Sequence, residues 1–179
     1  MIAWLGLGGN LGDPERAFIR ALETLEREGD RITGLASLWR TAAIGPGEQP
    51  DHLNSVARLQ TSRAPGELLV RLKELEREAG RVSGERWGPR PLDLDLLLLA
   101  NDEGHLLQLE QAGLDIPHPR MSERAFVLQP LQELDPGLPD QRTGGQLAQH
   151  LQDEPVRSQV ANKLTRKEPW YPAPFVPSP

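Results

Sequence analysis

Leu92-Asp93-Leu94-Asp95-Leu96-Leu97-Leu98-Leu99 is the stretch that decides the fold. A run of leucine and aspartate without glycine or proline reads as one strongly apolar strand. In a strand, residues i and i+2 share a side, so Leu92, Leu94 and Leu96 face one way and Asp93 and Asp95 the other. The two carboxylates then leave the backbone roughly 7 Å apart and, at an effective dielectric of ~20, repel by about 2 kcal/mol. Aspartate is also disfavoured in strands. A divalent cation between the two removes the repulsion. Hard oxygen ligands suit Mg²⁺, which takes one or two carboxylates and fills its shell with water and phosphate oxygens. The bland alternative is the solvent-facing half of an exposed strand, and the pattern alone leaves both open.

Working outward, Pro65 opens a helix in which Leu68, Leu69, Leu72 and Leu75 repeat an apolar stripe, and Gly80 caps its end. At the start of the chain, residues 2–7 read as a buried strand that breaks at Gly8-Gly9-Asn10-Leu11-Gly12. Asp13 and Pro14 then supply an N-cap and a first helical position, and Phe18, Ala21, Leu22 and Leu25 form one apolar face. Residues 32–42 and 54–61 read as strands around a Gly/Pro loop. The order strand, helix, strand, strand, helix, strand predicts a ferredoxin-like α+β sandwich, with helices packed on a mainly antiparallel sheet. Further on, residues 103–114 read as a hairpin edge, Phe126, Val127 and Leu128 resume core character, and residues 146–151 suggest a short helix. We expect one domain over residues 1–160 and a C-terminal tail over 161–179, rich in proline and carrying Trp170, Tyr171 and Phe175.

Composition narrows the function. The 179 residues carry 20 Lys plus Arg against 26 Asp plus Glu, a net charge of −6, with only 4 Trp, 1 Tyr and 3 Phe. That argues against a nucleic-acid partner, which calls for a basic surface or exposed aromatics on the sheet. With no cysteine, disulfides, thiolate zinc sites and cysteine nucleophiles are excluded. No apolar run approaches the ~18 residues of a membrane span. The first residues lack a basic n-region, so the expected location is the cytoplasm.

The loop before the two aspartates gives them a context. Arg81, Arg86 and Arg90 crowd it, with Trp87 among them. Guanidinium forks for phosphate oxygens beside a carboxylate pair are what phosphoryl transfer needs, and Trp87 is placed to stack on a base. The glycines at 6, 8, 9 and 12 follow a strand and precede a helix, yet they fit neither the dinucleotide fingerprint nor the P-loop. A tight turn is the expected reading there. Thr41 to Asn54, with its Gly-Pro-Gly turn and His52, offers groups for a heterocycle's polar edge. His118, between two prolines, and Arg124 with Phe126 add cations and an aromatic face.

Taken together, Gly6-Leu7-Gly8-Gly9-Asn10-Leu11-Gly12-Asp13, Thr41 through Asn54, Arg86-Trp87-Gly88-Pro89-Arg90-Pro91-Leu92-Asp93-Leu94-Asp95 and Ile116-Pro117-His118-Pro119 with Arg124-Ala125-Phe126-Val127-Leu128 resemble the 6-hydroxymethyl-7,8-dihydropterin pyrophosphokinase family of folate biosynthesis. The resemblance covers roughly residues 1–135 and implies the same ferredoxin-like fold. It implies transfer of pyrophosphate from ATP to the pterin hydroxymethyl group, releasing AMP, with no obligate protein partner. By resemblance, Asp93 and Asp95 hold two Mg²⁺ ions, and Arg81 and Arg90 hold phosphates. Lys73, Glu76, Arg86, Trp87, Leu96, His118 and Arg124 match nucleotide-contacting positions. Thr41, Ala42, Ile44, His52, Asn54 and Phe126 match pterin-contacting ones. Ser83 stands where the family often has a second arginine, Ala42-Ala43 where it often has Pro-Pro, and His52 where it commonly has a larger aromatic. The segments 45–50 and 81–90 are expected to close over the substrates.

Overall fold

The computed structural model describes residues 1–42, 49–81, 88–111, 113–166 and 168–171. β1 (Ile2–Gly9) leads into α1 (Pro14–Arg27), where Asp13 accepts a hydrogen bond from the Arg16 amide and Pro14 opens the first turn. β2 (Arg31–Leu35), β3 (Trp39–Thr41) and β4 (His52–Gln60) follow, then α2 (Pro65–Glu78) and β5 (Asp93–Ala100). Gly80, at a φ of +94°, ends α2 in the left-handed region that favours glycine. β6 (Leu109–Gln111) and β7 (Leu114–Ile116) form a separate hairpin, α3 spans Ala125–Leu134, and β8 is Ala161–Lys163.

The main sheet runs β5-β1-β4-β3-β8, with β2 also pairing β4, and every pairing is antiparallel. Counting β2 and β3 as one interrupted strand gives the β-α-β-β-α-β ferredoxin-like arrangement. The interruption differs from the single strand expected over 32–42. Between its halves, the Ser37 amide and hydroxyl both donate to Glu133 of α3, while Ser55 Oγ of β4 donates to the Ala36 carbonyl. Backbone groups that a sheet ladder would use are therefore taken by side chains. Where a short helix was expected at 146–151, a 3₁₀ helix spans Leu147–Gln152.

The sheet is covered on both faces. On one, Leu5, Leu59, Leu94 and Leu96 pack against Phe18, Leu22 and Leu25 of α1 and Leu68, Leu72 and Leu75 of α2. On the other, Trp4, Val56 and Leu97 pack against Val127, Leu128 and Leu131 of α3. The β1–β5 register shifts between Trp4 and Leu5, pairing Trp4 with Leu98 and Leu5 with Leu96. This bulge leaves Leu97 as an extra residue. It explains the unbroken Leu96–Leu99 run: at that end of β5 both faces are buried.

The last described residues pack on the body. β8 pairs with β3, the Trp170 indole donates to the Ala36 carbonyl at 2.8 Å, and Tyr171 donates to Glu26 at 2.6 Å. Trp170 also meets Phe18 edge-on. Of the stretch expected to be a tail, residues 161–166 and 168–171 are thus described, with a strand and two buried aromatics among them. Among the described residues no helix is long and apolar enough to cross a membrane.

Candidate functional site

Gly6 and Gly8 of β1 stand opposite Asp95 and Asp93 of β5, and opposite Val56 and Asn54 of β4. With no side chains at either glycine, the α3 face of the sheet is bare there, and a cleft of about 400 Å³ opens over it. A Cβ on Gly8 would lie 3.6 Å from Asn54 Oδ1 and 3.8 Å from Asp93 Cβ, and one on Gly6 would lie 3.4 Å from Leu97. The expected tight turn is therefore corrected. Residues 6, 8 and 9 lie within β1, and only Gly12 carries a turn-type φ, of +68°. At the strand end a Gly9 Cβ would meet the Pro91 carbonyl oxygen at 2.7 Å. That close approach lets Asn10 and Leu11 amides donate to the Arg90 carbonyl, while Asn10 Oδ1 accepts from the Arg90 amide at 2.8 Å.

Both aspartates face the cleft, each with a side chain 30 % exposed. Asp93 is paired with Arg81 at 2.7 Å and Arg90 at 3.1 Å, and Asp95 with Arg124 at 3.3 Å. Arg81 is shared with Glu76, whose side chain is only 2 % exposed. Glu76 also accepts from the Leu94 amide and from Lys73, each at 2.7 Å, and Lys73 donates to the Leu94 carbonyl at 3.0 Å. β5 is an edge strand, and these two α2 residues satisfy the outward amide and carbonyl of its Leu94. Lys73 and Glu76 thus lie beneath the aspartates, and Leu96 in the α1/α2 core, while none of the three lines the cleft.

Ala42, His52, Asn54 and Phe126 do line it. Asn54 is 4 % exposed, and its amide donates to Thr41 Oγ1 at 3.0 Å, so Thr41 orients it without lining the cleft itself. The Arg124 guanidinium lies 5.7 Å from the Phe126 ring centre, a cation–π contact. His118 stands behind this wall, its amide donating to the Leu97 carbonyl and its Nδ1 accepting from the Arg120 amide. Burial pushes the His52 imidazole below its ordinary pKa, with Arg90 assisting and Asp93 and Asp51 opposing. Burial does the same to His118, with Asp95 opposing and Arg124, Arg120 and Arg142 assisting. Ile44, Ser83, Arg86 and Trp87 lie outside the described residues, as does much of the two segments expected to close.

Sequence reasoning gave no role to Ser55 of β4 or to Gln159, which help complete the walls, while Arg120 and Glu123, in the segment read as adding cations beside His118 and Phe126, also line the cleft. No spacing marks Gln159, because it reaches the cleft through the packing of the C-terminal segment on α3. The glycines did carry a signal. Glycine at alternate positions of an apolar strand marks a face kept free of side chains.

Among the described residues no three His, Asp or Glu side chains converge as a metal cage. Two cleft-facing carboxylates instead match the few protein ligands that Mg²⁺ takes when phosphates supply the rest. The donor set fits a cation that arrives with a nucleotide.

A family model described as 7,8-dihydro-6-hydroxymethylpterin-pyrophosphokinase matches residues 4–136. The chain is 43 % identical over 142 residues to a Pseudomonas aeruginosa protein named 2-amino-4-hydroxy-6-hydroxymethyldihydropteridine pyrophosphokinase, covering 78 % of this chain and 85 % of that one. A Synechocystis protein of the same name is 41 % identical over 153 residues, covering 84 % and 74 % respectively. The fold also matches the crystal structure of wild-type Plasmodium falciparum HPPK-DHPS with pteroate, at a TM-score of 0.61 and 14 % identity. That match covers 83 % of this chain and 41 % of that one.

Proposed function

The chain belongs to the 7,8-dihydro-6-hydroxymethylpterin-pyrophosphokinase family, and we propose that it transfers pyrophosphate from ATP to 6-hydroxymethyl-7,8-dihydropterin in folate biosynthesis, releasing AMP. The observation that carries this reading is the pair Asp93 and Asp95 on the cleft floor, each already held by arginine. A site for a polyphosphate needs both charges, anionic groups for its cations and guanidinium forks for its oxygens. In the protein alone they neutralise one another. With a triphosphate bound, Arg81, Arg90 and Arg124 would serve its phosphate oxygens, and Asp93 and Asp95 would hold two Mg²⁺ ions. Bound there, Mg²⁺ supplies charge neutralisation on the phosphates and lowers the cost of deprotonating the attacking hydroxyl.

Asn54, oriented by Thr41, reads the pterin's hydrogen-bonding edge, and Phe126 stacks on its ring, with Ala42 and His52 completing that side. The resemblance gives Ile44 a pterin contact as well. Arg124 lies between Phe126 and Asp95, so it spans the junction of pterin and phosphates. Arg90 is held by Asn10, which fixes where its guanidinium starts. His118, Arg86 and Trp87 serve the nucleotide. Lys73 and Glu76 support Arg81 and β5 from below, and Leu96 serves the core. Both substrates are small and polar, and we place the reaction in the cytoplasm.

Purified protein with ATP, Mg²⁺ and the pterin should form AMP only when the pterin is present. Asp95→Ala should lower that AMP formation by about 10³-fold while the pterin still binds. ADP in place of AMP would mean ordinary phosphoryl transfer. Pterin binding with neither nucleotide product would mean a binding module built on this scaffold.

A further inference from the structure

The cleft wall that carries Arg124 and Phe126 is fastened from outside its own helix. α3 begins at Ala125, and its N-cap residue, Arg124, makes no side-chain cap hydrogen bond. The Ala125 amide, one of the helix's unpaired donors, is instead taken by Gln159 Oε1 at 3.0 Å. On the other side of Arg124, Gln159 Nε2 donates to the Glu123 carbonyl at 2.8 Å. One half-buried side-chain amide thus binds both sequence neighbours of Arg124, and it lines the cleft itself.

The same segment reaches the opposite wall. Ala161, two residues on, pairs with Thr41, whose hydroxyl orients Asn54. Lys163 pairs with Glu133 at 3.1 Å, and Glu133 accepts from Ser37 and Trp39 next to that strand. A short stretch of chain, lying beyond the residues matched by the family model, therefore joins the Arg124–Phe126 wall to the paired strands β3 and β4 that carry Thr41 and Asn54.

We propose that Gln159 is a positioning residue for Arg124 and Phe126: a cap supplied in trans to α3 that fixes the gap between the two cleft walls. The proposal takes its ligand, though not its geometry, from the pterin reading above. The gap sets how well a flat heterocycle is held between Phe126 and Asn54. An amide suits the place because it accepts and donates at once. Glutamate keeps the acceptor for Ala125 but sets a carboxylate against the Glu123 carbonyl, and leucine keeps neither bond.

Three variants test it: Gln159→Leu, Gln159→Glu and, as a control on the same segment, Arg157→Ala, whose exposed side chain pairs with Glu154. The readouts are pterin KM and kcat, melting temperature, and amide hydrogen exchange over residues 124–127 without substrate. Gln159→Leu should raise pterin KM about tenfold, the size of one or two lost hydrogen bonds, and speed exchange at Ala125. Gln159→Glu should stay protected at Ala125 and fall between wild type and leucine in KM, and the control should match wild type. A lowered melting temperature in Gln159→Leu with unchanged pterin KM would overturn the proposal, as would unchanged exchange at Ala125. A wild-type protein that neither binds the pterin nor forms AMP would overturn the reading of the cleft, whereas faster Ala125 exchange in Gln159→Leu would still support the cap.

Discussion

The two faces of β5 are built from neighbouring residues and do opposite work. Leu94 and Leu96 point into the α1/α2 core and are almost wholly buried, while Asp93 and Asp95 point into the cleft and remain partly open. One face is filled because β1 sends Leu5 and Leu7 to the same side. The other is hollow because β1 sends Gly6 and Gly8 there. A strand's period of two thus separates stability from chemistry, residue by residue, along one short segment. Two like charges can share the hollow face because the arginines that neutralise them come from beyond β5 itself, Arg81 and Arg90 from the chain before it and Arg124 from the start of α3.

This contrast can be broken in order of expected effect. Asp95→Ala should lower pterin-dependent AMP formation by about 10³-fold, roughly 4 kcal/mol of transition-state stabilisation, and leave the denaturant midpoint close to wild type. Leu94→Ala, one residue away, should do the reverse: about 3 kcal/mol lost in equilibrium unfolding, with kcat of the folded protein little changed. Comparable losses of activity from both would show that the two faces are not separate. Gly8→Ala is the finer probe. Its Cβ meets only ordinary contacts, so the protein should fold, but the methyl occupies the cleft floor beside Asn54. Pterin affinity should drop about tenfold, and calorimetric titration showing no drop would place the pterin elsewhere.

The smallest effect contrasts the cleft with the clamp behind it. Asp140 accepts from His150 Nε2 at 2.7 Å, and Asp153 lies 3.0 Å from His150 Nδ1. The Asp140 hydrogen bond, aided by Asp153, raises the His150 pKa against the effect of burial. Burial works against Asp140 ionisation, yet bonds from His150, the Arg142 amide and Thr143 hold its pKa at about 2. Arg142 in turn donates to the carbonyls of Pro117 and Pro119, bracing the His118 loop. Because the fold raises the His150 pKa, its stabilisation is complete below the ordinary value of about 6.5 and is lost as pH rises through the raised one. His52 and His118 are shifted the other way, so their share is lost as pH falls below that ordinary value. The stability gap between wild type and His150→Gln should therefore narrow from pH 6 to pH 8. A gap that stays constant across that range would rule out a protonated clamp.

The sequence by itself determined the elements and the chemistry type. Periodicity and end signals are local, so α1, α2, β1 and β5 were legible from Phe18 to Leu25, Leu68 to Leu75 and the Leu/Asp alternation. The spacing of Asp93 and Asp95 left a cation and a plain solvent-facing strand both open, and the arginines of the preceding loop tipped the reading toward phosphates. Tertiary structure alone decided what meets what. Whether Gly6 and Gly8 form a turn or a cleft floor depends on which strands lie beside β1, and register is a long-range property. Glu76, which the resemblance set at a nucleotide-contacting position, is found to accept from the Leu94 amide only once β5 lies against α2. The break within 32–42 depends on Glu133 arriving from α3. Gln159 gains its place only when the C-terminal segment crosses α3 and pairs with β3. Side-chain type and period are written along the chain, whereas the partner of a hydrogen bond or an ion pair is set by residues that folding brings near.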